Sequence, residues 1–225
     1  MTDNSAISTT AQTLSPQTAQ HRQRAVVLPM ALCCLFMAVT ATISTLGLYE
    51  YPRHGSHLTV IITVLTPTLL YGLAFLLSPA VRRWTQRDLN LAMLTLPHAW
   101  RTVGFSFLAL WFYGILPAGF GAPAGFGDFI IAIAAPFVAV GLWLHWRHAI
   151  RSAVVFHLLG LLDLVIALVT GMTGFGVPAS GMNAIDPMTA FPMVIVPAVF
   201  VPLLIWGHVL VLTKITMDHY SPQAS

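Results

Sequence analysis

Three charged residues and two histidines lie where a chain this apolar has few polar groups to spend. Asp163 comes twelve residues after Arg151 in an uncharged run. As helix that is about 18 Å at 1.5 Å per residue, close to the midplane of a bilayer. Insertion scales put the cost of a carboxylate there at about 2.5–3.5 kcal/mol. Gly160, Ala167 and Gly171 form a small-residue stripe beside it, and such stripes are where membrane helices approach closely. Asp163 is therefore expected to face other helices, protonated for much of its life. It reads either as a proton or cation site or as a hydrogen-bonded lock between two helices.

Asp128 follows Gly127 at the expected start of a helix, with Ala132, Ala135 and Ala139 continuing its face. It reads as an N-cap accepting backbone N–H bonds, with a binding role as the alternative. Arg101 stands near the start of another apolar run. Its long side chain can snorkel to the interface, pair with a carboxylate or hold an anionic head group. The depth gap to Asp163, about half a helix, leaves a direct pair between the two open. His157 and His208 each lie about 9 Å inside a helix, counted from Arg151 and Lys214. Two histidines at one depth on separate helices could hold a b-type haem. The alternative is hydrogen-bonded or snorkelling imidazoles. His98, His145 and His148 fall at the same face, the last two beside Trp146 and Arg147 in a helix-anchoring turn. Cys33 and Cys34 are adjacent, too poorly aligned in a helix to bridge, and read as packing. Phosphate-binding loops, zinc-protease patterns and nucleophile elbows are absent from the sequence.

The elements that must position these groups follow from composition. Of 225 residues, 57% are hydrophobic and 8% charged, against about 25% charged in an average soluble domain. Mean hydropathy is +0.81. A soluble enzyme, a disordered chain, a nucleic-acid binder and a disulfide scaffold are all disfavoured. The fold class expected is all-α, a polytopic membrane bundle. Six segments reach the roughly 20 residues that a spanning helix needs: 26–48, 57–79, 99–118, 127–146, 150–171 and 191–213. Residues 1–24 read as a disordered polar tail, 25–214 as the six-span domain and 215–225 as a short tail. Leu89–Trp100 reads either as an extension of the third helix or as a surface segment.

Basic residues set the orientation. Arg22, Arg24, Arg82, Arg83, Arg87, Arg147, Arg151 and Lys214 fall on one side of a six-span chain, and only Arg53 on the other. The positive-inside rule then places both termini in the cytoplasm. The outer connections carry Pro-Ala-Gly-Phe-Gly at 117–121 and again at 123–127, and a related stretch at 174–179. Such likeness can mark a duplicated helix pair, but these are also common loop residues. The two outer loops, 117–127 and 172–190, are expected to pack together as a lid. Pro67, Pro136, Pro197 and Pro202 fall inside spans, where proline frees carbonyls and kinks helices.

Several of these stretches form a pattern: Arg101-Thr-Val-Gly104, Gly114-Ile-Leu-Pro117, Pro123-Ala-Gly-Phe-Gly-Asp128, Leu159-Gly160-Leu-Leu-Asp163-Leu, and the proline-punctuated run from Phe191 to Leu203. It resembles a group of small bacterial inner-membrane proteins of unknown function, over about residues 98–214. Asn often stands in that group where this chain has His157, so the resemblance carries no role over to that residue. It implies a bacterial inner membrane and supplies no activity.

The function expected is a small proton- or ion-linked transporter or permease, with Asp163 as its coupling residue. A non-catalytic membrane subunit or assembly factor is the alternative, and a haem b redox protein using His157 and His208 the second. No cofactor is otherwise expected, and no catalytic residue. The partners expected are the lipid bilayer and a small molecule or proton, with a homo-oligomer left open and nucleic acid not among them.

Overall fold

The computed structural model describes residues 16–50, 57–173 and 186–220. The 174–179 stretch, most of the second outer loop, Arg53, His54 and both chain ends lie outside them. The described chain is helical, without strands. Its elements are α1 (Pro16–Thr45), α2 (His57–Leu77), α3 (Pro79–Arg87), α4 (Leu91–Thr95), a 3₁₀ segment (Leu96–Gly104), α5 (Phe105–Phe112), α6 (Ala118–Trp143), α7 (Ala149–Thr173), α8 (Asp186–Thr189), a π turn (Val196–Phe200) and α9 (Val201–Tyr220).

Four stretches are long and apolar enough to cross a membrane: Leu58–Leu77, Ala118–Trp143, Ala149–Gly171 and Val196–Tyr220. The side-chain distribution suits a lipid solvent. Leu69, Leu76, Leu77, Ile130 and Phe137 are exposed, while Thr40, Ser44, Thr85, Thr95, His98, Arg101, His157 and His208 are buried. In water such a surface would be a very large apolar patch. Ile130 is 64% exposed at the middle of α6, so Ile130→Arg should make insertion less favourable by about 2.5–3.5 kcal/mol. A membrane-integration assay reads this as a loss of spanning product; unchanged integration would mean that this face is not against lipid.

Several boundaries differ from the sequence expectation. α1 begins at Pro16, inside the stretch expected to be a disordered tail, because Gln, Ala and Arg there are good helix formers behind a proline at the first turn. Likewise α9 runs on to Tyr220, through the first residues of the expected C-terminal tail. The stretch 118–127, expected as an outer loop, forms the first turns of α6. Its glycines pack closely there: a Cβ on Gly125 would fall 2.6 Å from Leu108 Cγ, and one on Gly121 2.8 Å from Trp111 Cβ. The last span opens with the π turn, which holds Pro197, and Pro202 follows in the first turn of α9, each proline removing one backbone donor.

The expected third span, 99–118, is not one α-helix. α4, the 3₁₀ segment and α5 run antiparallel along α6. Ala92 packs at the Leu142 end, Ala99 joins the cluster of Ile131 and Ala135, and Phe107 meets Phe120 and Ala124 at the far end. The stretch from Leu91 to Trp100 therefore continues the third segment along α6, burying Ala92, Thr95 and His98 and exposing Met93, Leu96 and Trp100. Gly114 closes α5 with φ 71°. Its N–H reaches Trp111 O at 2.9 Å and that of Ile115 reaches Leu110 O at 2.8 Å, a glycine helix stop. Leu116 is then buried and Pro117 leads into α6, which accounts for Gly114-Ile-Leu-Pro117.

Candidate functional site

Arg101 sits in the 3₁₀ segment, Asp128 in α6 and Asp163 in α7. All three guanidinium nitrogens are used. Nε donates to Asp128 Oδ1 at 2.6 Å, Nη2 donates to Asp163 Oδ2 in a very short contact, and Nη1 donates to the Gly160 carbonyl at 3.1 Å. The Arg101 side chain is fully buried, and the two carboxylates are nearly so, at 14% and 19% exposed. Arg101 therefore does not snorkel. Its planar fork suits two carboxylates presented from two helices.

Asp128 is not an N-cap, because α6 starts ten residues before it. It lies fifteen residues before the end of α6, and Asp163 fourteen after the start of α7. An antiparallel hairpin of those arms puts both at one level. The turn between them is a helix stop: Trp146 N–H reaches Gly141 O at 3.0 Å, and His145 takes φ 53°.

Glycines make the room. A Cβ on Gly104 would overlap the Asp128 carboxylate, one on Gly127 the Asp163 carboxylate, and one on Gly160 the His208 ring, with Arg101 Nη1 3.3 Å away. The Arg-x-x-Gly, Gly-Asp and Gly-x-x-Asp stretches thus converge on a single ion cluster.

A second buried group lies across Gly160. His157 and His208 meet Nδ1 to Nδ1 at 2.8 Å, the two residues that sequence put at one depth. His98, placed by sequence only at the same face, stacks on His208 with ring centroids 3.8 Å apart. Thr95 Oγ1 lies 3.1 Å from His157 Nε2 and 2.7 Å from the Leu91 carbonyl. A hydroxyl has one proton, and the Leu91 carbonyl can only accept, so Thr95 accepts from His157 Nε2–H. His157 then presents a bare Nδ1 to His208. Among the described residues, His98 Nδ1 and His208 Nε2 are buried without a hydrogen-bond partner. A porphyrin between two axial imidazoles needs a slot. Here the two rings touch, so this pair does not fit haem b.

An apolar cleft reaches the ion cluster from the α8 side. Val60, Phe107, Phe120, Leu164 and Met188 line it, and Asp128 is its charged wall residue. Met188 also packs with Phe120 and Ala124, so α8 and the start of α6 meet there, while 174–185, the rest of the expected lid, lie outside the described residues.

The profile of a domain of unknown function (DUF8737) matches residues 57–216, more than two thirds of the chain. The chain belongs to that family. The match begins with α2, before the 98–214 stretch that carries the resemblance, and takes in Arg101, Asp128, Asp163 and all three clustered histidines; α1 lies outside it. No curated protein and no solved structure matches the chain.

Proposed function

We propose that this member of the DUF8737 family is a six-span protein of a bacterial inner membrane that couples proton movement to a small substrate through Asp163. The observation that carries the reading is the charge balance of the ion cluster. One Arg101 cation bridges two carboxylates in a core walled by apolar side chains. One positive charge against two negative leaves one excess negative charge, and an unbalanced buried charge is costly. A single proton cancels it. The site then has two protonation states that differ by one charge beside a cleft reaching Asp128, and that is what proton coupling requires.

Lengths and charges support this span count and orientation. Nine 3₁₀ residues at about 2.0 Å and eight α residues at about 1.5 Å carry 96–112 over about 30 Å, a full hydrocarbon core. Counted with α1, α2, α6, α7 and α9, this makes six passes. α3, the 144–148 turn and the end of α9 gather at one end. There Lys214 Nζ donates to Gln86 O at 2.5 Å, and Ile215 packs against the cluster of Ala92, Leu142 and Ala149. Arg82, Arg83, Arg87, Arg147 and Arg151 belong to that end, which is cytoplasmic by the positive-inside rule.

The test is infrared difference spectroscopy of the purified protein in lipid, with pH varied, alongside proton flux in vesicles carrying a pH-sensitive dye. A protonated carboxyl band that titrates and vanishes in Asp163→Asn, together with flux lost in that variant, is the expected result. If no carboxyl band changes and no flux is seen, the ion cluster is helix glue. That second reading, a non-catalytic membrane subunit, rests on the fully bonded guanidinium.

A further inference from the structure

We propose that His98, His157 and His208 form a binding site for one transition-metal ion, with Thr95 as the group that orients His157. This site is separate from the ion cluster and does not depend on proton coupling.

The geometry points there in three ways. One ring nitrogen from each histidine lies within 4.8 Å of the other two, and all three residues are buried. Three imidazoles and no carboxylate suit zinc, copper, nickel, cobalt or iron and not magnesium or calcium. Three histidines with a fourth position left for water are also a common arrangement for zinc. Around an ion with bonds of about 2.0–2.1 Å the nitrogens of a tetrahedral site stand about 3.4 Å apart. The 2.8 Å pair of Nδ1 atoms has only to open slightly, and the ion replaces their shared hydrogen bond, the proton of His208 Nδ1 moving to Nε2 of the same ring.

Second, His157 is already fixed in the ligating tautomer. Its Nε2–H is spent on Thr95, whose own proton is spent on Leu91 O. Metal-bound histidines almost always donate their other N–H in this way. Third, the metal-free cluster is unfinished. His98 Nδ1 and His208 Nε2 are fully buried polar atoms without a partner, which a folded interior rarely tolerates. An ion that takes up the His98 lone pair removes one of these two defects.

The experiment uses the full chain in detergent, stripped with chelator and then given Co2+ or Zn2+ alone. One equivalent of Co2+ should produce the intense visible bands of a tetrahedral site, and Zn2+ should erase them. Zinc X-ray absorption should show three imidazoles on one ion. Thr95→Val, which leaves all three ligands in place, should weaken binding about 10–100-fold. His157→Gln and His208→Gln should abolish the bands. If either glutamine variant fails to fold, the wild-type imidazole count and the Thr95→Val affinity still decide. No stoichiometric ion in the wild-type protein overturns the proposal. So does an ion with fewer than three imidazoles, or one indifferent to Thr95→Val, since the exposed His145 or His148 would then be the binder.

Discussion

Asp128→Asn and Asp163→Asn together should cost the fold about 3–5 kcal/mol, the range for a buried charge stripped of its partner, whereas either one alone should cost little. The asymmetry follows from counting charges around Arg101. With both carboxylates ionised the cluster carries one excess negative charge. The first Asp→Asn change removes that excess and leaves a neutral Arg–Asp pair. Asn keeps an oxygen that still accepts from the guanidinium. The second change leaves a cation that cannot lose its proton, buried among apolar helices with only amide and carbonyl oxygens around it. A double-mutant cycle by chemical unfolding in detergent should therefore give a coupling well above the 0.3–0.5 kcal/mol within which independent sites add. Additive costs would show that Arg101 does not depend on these carboxylates, and the three-way bonding would be wrong.

Much of this arrangement was legible in the residues. Asp163 reads as inward-facing because its depth makes lipid exposure costly, and His157 and His208 read as level because each sits a similar distance from a basic anchor. The misreadings share one cause. Gly and Pro at 117–127 look like a loop, since in water those residues favour turns. In a bundle they instead let helices touch: Gly125 admits Leu108 and Gly127 admits the Asp163 carboxylate. Once that stretch is helix, Asp128 moves from an N-cap to the interior, level with Asp163. Arg101 is misplaced for a related reason. The expected span starts at 99, whereas the segment enters the bundle with α4 at Leu91, ten residues before Arg101, and the 3₁₀ rise of about 2.0 Å per residue adds only about 3 Å more. Thr95 gives no signal because a lone threonine in an apolar stretch is ordinary, and His98 because its burial depends on Leu91–Gly104 entering the bundle as helix.

Gly160→Ala should destabilise the protein by about 1–3 kcal/mol, the usual cost of overpacking, although alanine is the better helix former by about 1 kcal/mol. The sign is set by what the added methyl meets. Its carbon would stand 2.7 Å from His208 Nε2, closer still to Cε1, and 3.3 Å from Arg101 Nη1. Neither neighbour is free to yield. His208 is held between the His98 ring on one side and the His157 Nδ1 on its edge. Arg101 is fixed by three bonds. α7 must then move away from α9 or from the 3₁₀ segment, and either shift loosens contacts to both polar groups. The geometry can be separated from a general intolerance of alanine by removing the obstacle. In a His208→Ala background the ring is gone, and Gly160→Ala should cost close to nothing or become slightly stabilising through helix propensity. Thermal melts of the four proteins in one detergent give the comparison. An equal cost in both backgrounds would mean that the His208 ring does not lie against Gly160, and the contact joining the histidine group to the ion cluster would be lost with it.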